Sequence, residues 1–284
     1  MRPLVVVLLA VFPLAAQTDL GQMLPEGGTI RLTAFGDFGD LKHSPQTVAD
    51  AMYRRHQQQP FALGVTLGDN FYPRGVKSVD DPKWTRIWED LYARFGIVFY
   101  AALGNHDYKG NEQAQIDYAA RSRSWEMPAR YYTYAAGPAR FLALDTTEWD
   151  DAQRAWLDRE LASKPAPWRI VYGHHPVFTY GRHRRGKQVA RMERELLPLL
   201  ARHGVRLYLS GHDHDFQHLR EAGIDFFICG GGGTKLRKAR SGPRTVFAAS
   251  QHGFCEVEAG PEALDVRIFN TASGLLHATR IPHR

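Results

Sequence analysis

The sequence predicts an α/β fold in which two sheets pack face to face with helices outside, and three observations carry that expectation. Short apolar runs alternate with segments of helical periodicity over most of the chain, the order that builds sheets with parallel neighbours. The last sixty-odd residues instead read as one strand after another, a meander. Nearly every apolar run of the alternating region ends in glycine followed by Asp, Asn or His.

In chain order, Ile30 to Phe35 reads as a buried strand. A helix follows from Ser44, with Ser44 as its cap and Pro45 in its first turn. Phe61 to Leu67 is a second strand, Lys83 to Phe95 has helical periodicity, and Ile97 to Ala101 is a third strand. Tyr131 to Ala135 and Phe141 to Leu144 flank Gly137-Pro138 as a hairpin. A helix around Gln153 to Leu161 leads into a strand at Trp168 to Tyr172. Another helix, Val189 to Arg202, precedes a strand at Val205 to Ser210. Phe254 to Glu258, Leu264 to Phe269 and Leu276 to Ile281 belong to the closing meander.

A chain of 284 residues, 44% hydrophobic and without repeats, has ample material for one large core, and a single domain is expected over residues 28–284. Residues 1–17 have the pattern of a secretory signal: one Arg, an apolar stretch interrupted by Pro13, then Ala15 and Ala16. That stretch is too short to span a bilayer comfortably, and no later segment resembles a membrane span. A soluble, secreted or periplasmic protein is therefore expected. Cys229 and Cys255 are either bridged, as an oxidising compartment permits, or buried thiols acting as small hydrophobes. The formal net charge is +6, with basic clusters at Arg182–Lys187 and Lys235–Arg240. These are solvated loops or a rim that attracts anionic substrates. No nucleic-acid-binding module is visible, so specific nucleic-acid binding is not expected.

The polar clusters at the strand ends carry the chemistry. They read Gly36-Asp37-Phe38-Gly39-Asp40, Gly68-Asp69-Asn70-Phe71-Tyr72, Gly104-Asn105-His106-Asp107, Gly173-His174-His175-Pro176 and Gly211-His212-Asp213-His214. Loops leaving the carboxyl ends of strands in such sheets converge on one crevice. One carboxylate can bridge two metal ions about 3.5–4 Å apart, and Asp69 is the candidate bridge. Asp37, Tyr72 and His214 complete one site, while Asn105, His174 and His212 complete the other. In extended backbone His212 and His214 point to the same side, so each serves one of two adjacent ions. Hard phenolate and carboxylate oxygens favour Fe³⁺ at the first site; imidazoles and an amide oxygen suit Zn²⁺, Fe²⁺ or Mn²⁺ at the second.

Asp37-x-Gly39, Gly68-Asp69-x-x-Tyr72, Gly104-Asn105-His106-Asp107, Gly173-His174 and Gly211-His212-x-His214 resemble the motif set of the calcineurin-like metallophosphoesterases. They most resemble the purple acid phosphatases of the small tartrate-resistant type. The superfamily usually carries Asp-x-His in its first motif; here Gly39 stands in place of that His, and Tyr72 stands where the purple enzymes place an iron-bound tyrosinate. The resemblance implies a four-layer αββα sandwich, two mixed β-sheets flanked by helices. It also implies an Fe³⁺–divalent pair and a metal-activated hydroxide that attacks small phosphate monoesters. His106 is the candidate phosphate contact, and by resemblance His183 contacts substrate and protonates the leaving alkoxide. His175 is expected to face aside because Pro176 fixes its backbone, and Asp107 either orients His106 or caps its loop. Asp40 departs from the family's usual small residue, and its carboxylate either weakens anion binding or pairs with a base. The family's small animal members carry a disulfide near a regulatory loop, but this chain has no cysteine before Cys229. Phosphodiester or nucleotide-anhydride cleavage is the alternative enzyme reading, and a non-catalytic phosphate- or metal-binding protein the alternative of another class.

Overall fold

The computed structural model describes residues 17–24, 28–43, 45–163 and 165–283. The signal-like segment, apart from Gln17, and the expected cap Ser44 lie outside the described residues.

Two mixed sheets form the frame. In spatial order the first holds β1 (Gln17–Leu24), β6 (Tyr131–Ala136), β7 (Ala139–Ala143), β8 (Trp168–Tyr172), β9 (Leu207–Ser210), β11 (Ile224–Cys229), β10 (Phe216–Glu221) and β12 (Thr245–Ala249). The second holds β15 (Leu275–Pro282), β14 (Ala263–Asn270), β13 (Gly253–Ala259), β2 (Ile30–Phe35), β3 (Leu63–Leu67), β4 (Phe99–Ala102) and β5 (Trp125–Glu126). β7, β8, β9 and β11 run parallel, as do β2 to β5, whereas the C-terminal strands pair antiparallel. The expected meander is thus divided. β10 to β12 extend the first sheet, and β13 to β15 extend the second beside β2.

The two-residue period of the strands builds the layers. In β8, Ile170 and Tyr172 belong to the core shared with Leu32 and Val65 of the facing sheet, while Val171 faces the opposite way. Val171 packs with Leu142 and Tyr208 under Trp156 and Leu157 of α4 (Asp151–Ser163), Met192 of α5 (Lys187–Glu195) and Leu200 of α6 (Leu197–Arg202). α1 (Pro45–Gln58) packs against β13, and turns at Trp84–Glu89, α2 (Asp90–Tyr92) and Ala93–Phe95 cover the second sheet. The helix expected over Val189 to Arg202 is two helices. Pro198 begins the second because proline lacks the N–H that would continue the first. A short α3 (Glu112–Asp117), capped by Asn111, was not expected.

A disulfide joins Cys229 at the end of β11 to Cys255 in β13, crossing from one sheet to the other. On the same flank, His218 Nδ1 of β10 lies 2.9 Å from His277 Nε2 of β15, and His218 Nε2 lies 2.7 Å from Asp225 Oδ1. Burial, then the neighbouring His218 and Arg220, hold His277 down at about 4. The unfolded chain therefore takes up this proton first as pH falls below 6.5, the ordinary value. Stability from this group is full above that pH and drains away towards about 4. We expect the urea midpoint to fall between pH 7 and 4.5, and His277→Gln to flatten that fall.

Candidate metal centre

Five loops leave the C-terminal ends of β2, β3, β4, β8 and β9 and meet where the two sheets approach. Backbone bonds tie the loops together: Gly36 N to Cys229 O at 3.0 Å, Asp37 N to Gly68 O at 3.1 Å, and Gly211 N to His174 O at 3.0 Å. Asp37, Asp69 and His212 adopt left-handed backbone, with φ of 58°, 53° and 71°. Side-chain-bearing residues pay about 1–3 kcal/mol for such conformations, which concentrate at functional sites. His212 and His214 thus share the site through a strained bend rather than through the strand-like alternation expected from sequence.

The seven candidate ligands meet in one place. Tyr72 Oη donates to Asp69 Oδ2 at 2.7 Å or to Asp37 Oδ1 at 3.0 Å, and lies 3.3 Å from His214 Nε2. Asp37 Oδ2 accepts from His212 N at 2.8 Å, and Asp69 Oδ1 accepts from His106 N at 2.7 Å. His174 Nδ1–H donates to Leu67 O at 2.9 Å, which leaves Nε2 as an acceptor. Around that Nε2 stand His212 Nδ1 at 3.1 Å, Asn105 Oδ1 at 3.2 Å and Asp69 Oδ1 at 3.4 Å. Lone pairs face lone pairs, with too few protons among them. A cation satisfies such a donor set.

Electrostatics agree. Burial, then the neighbouring Asp69, push the Asp37 carboxyl well above the carboxylate range. Burial, then Asp37 and Asp69, push the Tyr72 phenol well up, a shift that a bound cation reverses. Burial lowers His174 and His212, and with Arg237 brings His214 down to about 4, so these imidazoles are neutral near pH 7. Ligand atoms of Asp37, Asp69 and His174 lie within 4.8 Å of one another, as do those of His174, His175 and His212. The residues present fit a pair of metal ions.

Gly39 is where a side chain cannot go. A Cβ there would collide with the Asn70 carbonyl, so the first motif has no room for histidine at this position, and the Tyr72 oxygen stands between the two carboxylates. Asp40 pairs with His43 at 2.8 Å and leaves the centre alone.

His106 and His183 also reach the site. His106 packs its ring 4.3 Å from that of Tyr72, and its Nδ1 lies 2.7 Å from Pro73 O. His183 stacks on His212 at 3.9 Å. His175 does not face aside: Thr146 Oγ1 accepts from its backbone N at 2.8 Å and contacts its Nδ1 at 3.0 Å, placing the ring 4.4 Å from that of His212.

Sequence reasoning missed two residues. Asp213 accepts His183 Nδ1–H at 3.0 Å and the Thr179 hydroxyl at 2.5 Å. Burial opposes its charge, but these bonds outweigh burial and hold the carboxyl below its usual range. Its place between two ligand histidines was the available signal. Arg237, seen only as part of a basic run, lies 3.3 Å from His183 Nε2 and donates its backbone N–H to His214 O.

Asp107 is the cap rather than the His106 orienter. It accepts from the backbone N–H groups of Gly104 at 2.8 Å, Asn70 at 3.1 Å and Phe71 at 3.2 Å, locking two ligand loops together. Asp107→Ala leaves these donors buried without an acceptor. We expect a loss of about 3 kcal/mol or more in urea unfolding and reduced metal content per folded chain by elemental analysis.

Comparison with known proteins identifies the family. Residues 30–216 match the family described as calcineurin-like phosphoesterase. Tartrate-resistant acid phosphatase type 5 of Oryctolagus cuniculus is 31% identical, covering 90% of this chain and 92% of that protein. Purple acid phosphatase 7 of Arabidopsis thaliana is 30% identical, covering 76% of this chain and 74% of its own length. Among solved structures, GAP50, the anchor in the inner membrane complex of Plasmodium, superposes with a TM-score of 0.81 at 23% identity, covering 90% of this chain and 89% of that one. Purple acid phosphatase PPD1 of yellow lupin superposes at 0.71 and 17% identity, covering 90% and 54%. A family match over more than half the chain, joined to relatives that span nearly all of it, establishes that this protein belongs to the calcineurin-like phosphoesterase family.

Proposed function

We propose that this chain is an exported phosphomonoesterase working with an Fe³⁺–divalent metal pair, the divalent ion being Zn²⁺, Fe²⁺ or Mn²⁺. The carrying observation is the convergence of Asp37, Asp69, Tyr72, Asn105, His174, His212 and His214, with acceptor atoms facing acceptor atoms. Asp69 would lie between the ions, with Asp37, Tyr72 and His214 on the iron side and Asn105, His174 and His212 on the other. When bound, such a pair polarises a phosphoryl oxygen and makes water acidic enough to attack near neutral pH.

The remaining steps fall to the protein's own side chains. His106 stands beside Asn105 with its Nδ1 engaged by Pro73 O, which leaves Nε2 for a phosphate oxygen. Lys109 adds positive charge 3.4 Å from that nitrogen. His183, held through Nδ1 by Asp213, presents Nε2 to the leaving oxygen. Asp213 orients the ring, and from a protonated ring Nε2–H would pass to the departing alkoxide as the P–O bond breaks. Export is supported by the Cys229–Cys255 bridge, since disulfides persist in oxidising compartments. Among the described residues no helix is long and apolar enough to cross a membrane.

Loaded with iron and a divalent ion, the protein should show a tyrosinate–Fe³⁺ band in its visible spectrum and release phosphate from p-nitrophenyl phosphate faster than it cleaves the bis ester. Tyr72→Phe should lose the band; two zincs per active chain and no band would overturn the iron assignment. His183→Ala should lower kcat on an alkyl phosphate by about 10²-fold or more, in the range of general acid catalysis. The loss should be much smaller on p-nitrophenyl phosphate, whose leaving group needs no proton. Equal losses on both would remove His183 from that role.

A further inference from the structure

Next to the metal centre, Arg182, Arg184, Arg237, Lys238 and Arg240 line a surface pocket of about 360 Å³. No carboxylate among the described residues forms a salt bridge with any of the five. Nearby, by contrast, Arg154, Arg191 and Arg194 share Glu195, and Arg244 pairs with Glu221. The pocket therefore gathers positive charge from two distant loops and supplies no counter-charge of its own.

Its position relates it to the chemistry. Arg237 is the wall between pocket and centre, with Nη1 3.3 Å from His183 Nε2 and 3.4 Å from His212 O. Arg182 neighbours His183 in the chain, and Arg184 turns back so that its Nη1 reaches Gly181 O at 3.5 Å. With His183 facing the leaving oxygen, as proposed above, the part of a substrate beyond that oxygen would point at these cations. Guanidinium groups match the oxygens of a phosphate in geometry and charge. The lining offers no aromatic ring on which a base could stack.

We infer that this pocket is a subsite for a second phosphoryl group carried by the leaving group, so that the preferred substrates are small phosphomonoesters bearing another phosphate. The inference builds on the phosphomonoesterase reading above, and the test separates the two.

The matched probes are phenyl phosphate and 4-(phosphonomethyl)phenyl phosphate, whose phosphonate cannot be hydrolysed. Benzylphosphonate and p-xylylene diphosphonate serve as non-reacting counterparts for calorimetric binding. The metal-loaded protein is compared with Arg184→Ala/Lys238→Ala/Arg240→Ala, three exposed positions outside the catalytic residues. We expect the wild type to favour the second phosphonate by about tenfold or more in both kcat/KM and binding, equivalent to one charge-assisted contact. The triple variant should erase the preference while keeping phenyl phosphate turnover within about twofold, as for exposed sites away from the chemistry. No preference in the wild type would overturn the subsite. A variant that loses both substrates equally would also overturn it, showing general electrostatic attraction instead. Absence of any turnover would refute the phosphatase reading, while the binding ratio would still decide the subsite.

Discussion

Two carboxylates, Asp37 and Asp69, are buried within hydrogen-bonding reach of one tyrosyl oxygen, and that concentration of negative charge is the constraint on which the rest of the molecule depends. Taking a charge out of water costs several kcal/mol even after relaxation, and three left-handed residues add strain of their own. Such a site persists only on a frame that holds it from all sides. The frame here is two sheets with a shared apolar core, tied across by the Cys229–Cys255 bridge beside Gly36. By loop length that bridge contributes on the order of 3 kcal/mol. Asp107 then locks the backbones of two ligand loops, and the Leu67 carbonyl fixes the His174 ring.

Charge is layered outward from this point. Acceptors sit innermost, His106 and His183 surround them, and Arg237, Lys109 and the basic pocket lie beyond. Cations bound at the centre would neutralise the inner layer and leave what faces solvent positive. The formal charge of +6 is therefore not spread at random. A good part of it faces the side from which an anion must come, where it raises the rate of encounter.

The sequence made the centre legible because each ligand follows a short apolar run, and strand ends are where α/β folds collect functional loops. Asp213 was harder to read because its role appears only once the 180–183 loop folds back upon it. His175 misled for a similar reason: Pro176 constrains the backbone, but Thr146, distant in sequence, decides where the ring goes. Among the strands, β10 (Phe216–Glu221) carries Gln, His, Arg and Glu and escapes an apolar-run criterion, although four of its residues are buried between β11 and β12. β1 runs parallel to β6, a pairing between segments more than a hundred residues apart that no local pattern announces. Division of the C-terminal strands between two sheets is likewise a tertiary choice.

The candidate metal ligands and the cations of the basic pocket have different structural standing. Asp37, Asp69, Asn105, His174 and His212 lie on loops stitched to one another by backbone bonds, so altering one displaces its neighbours. The side chains of Arg182, Arg184, Lys238 and Arg240 are exposed, while the segments that bear them meet the centre through His183, Thr234, Lys235 and Arg237. On the subsite proposed above, changes to those side chains would alter which leaving group is welcome without disturbing how the phosphoryl group is held. The same architecture occurs in an anchor protein of Plasmodium and in a plant acid phosphatase, so the sandwich by itself decides neither chemistry nor substrate. What decides the chemistry is the set of side chains at the strand ends. On the proposed reading, substrate choice would rest on the charge and shape of two loops that the sandwich merely carries.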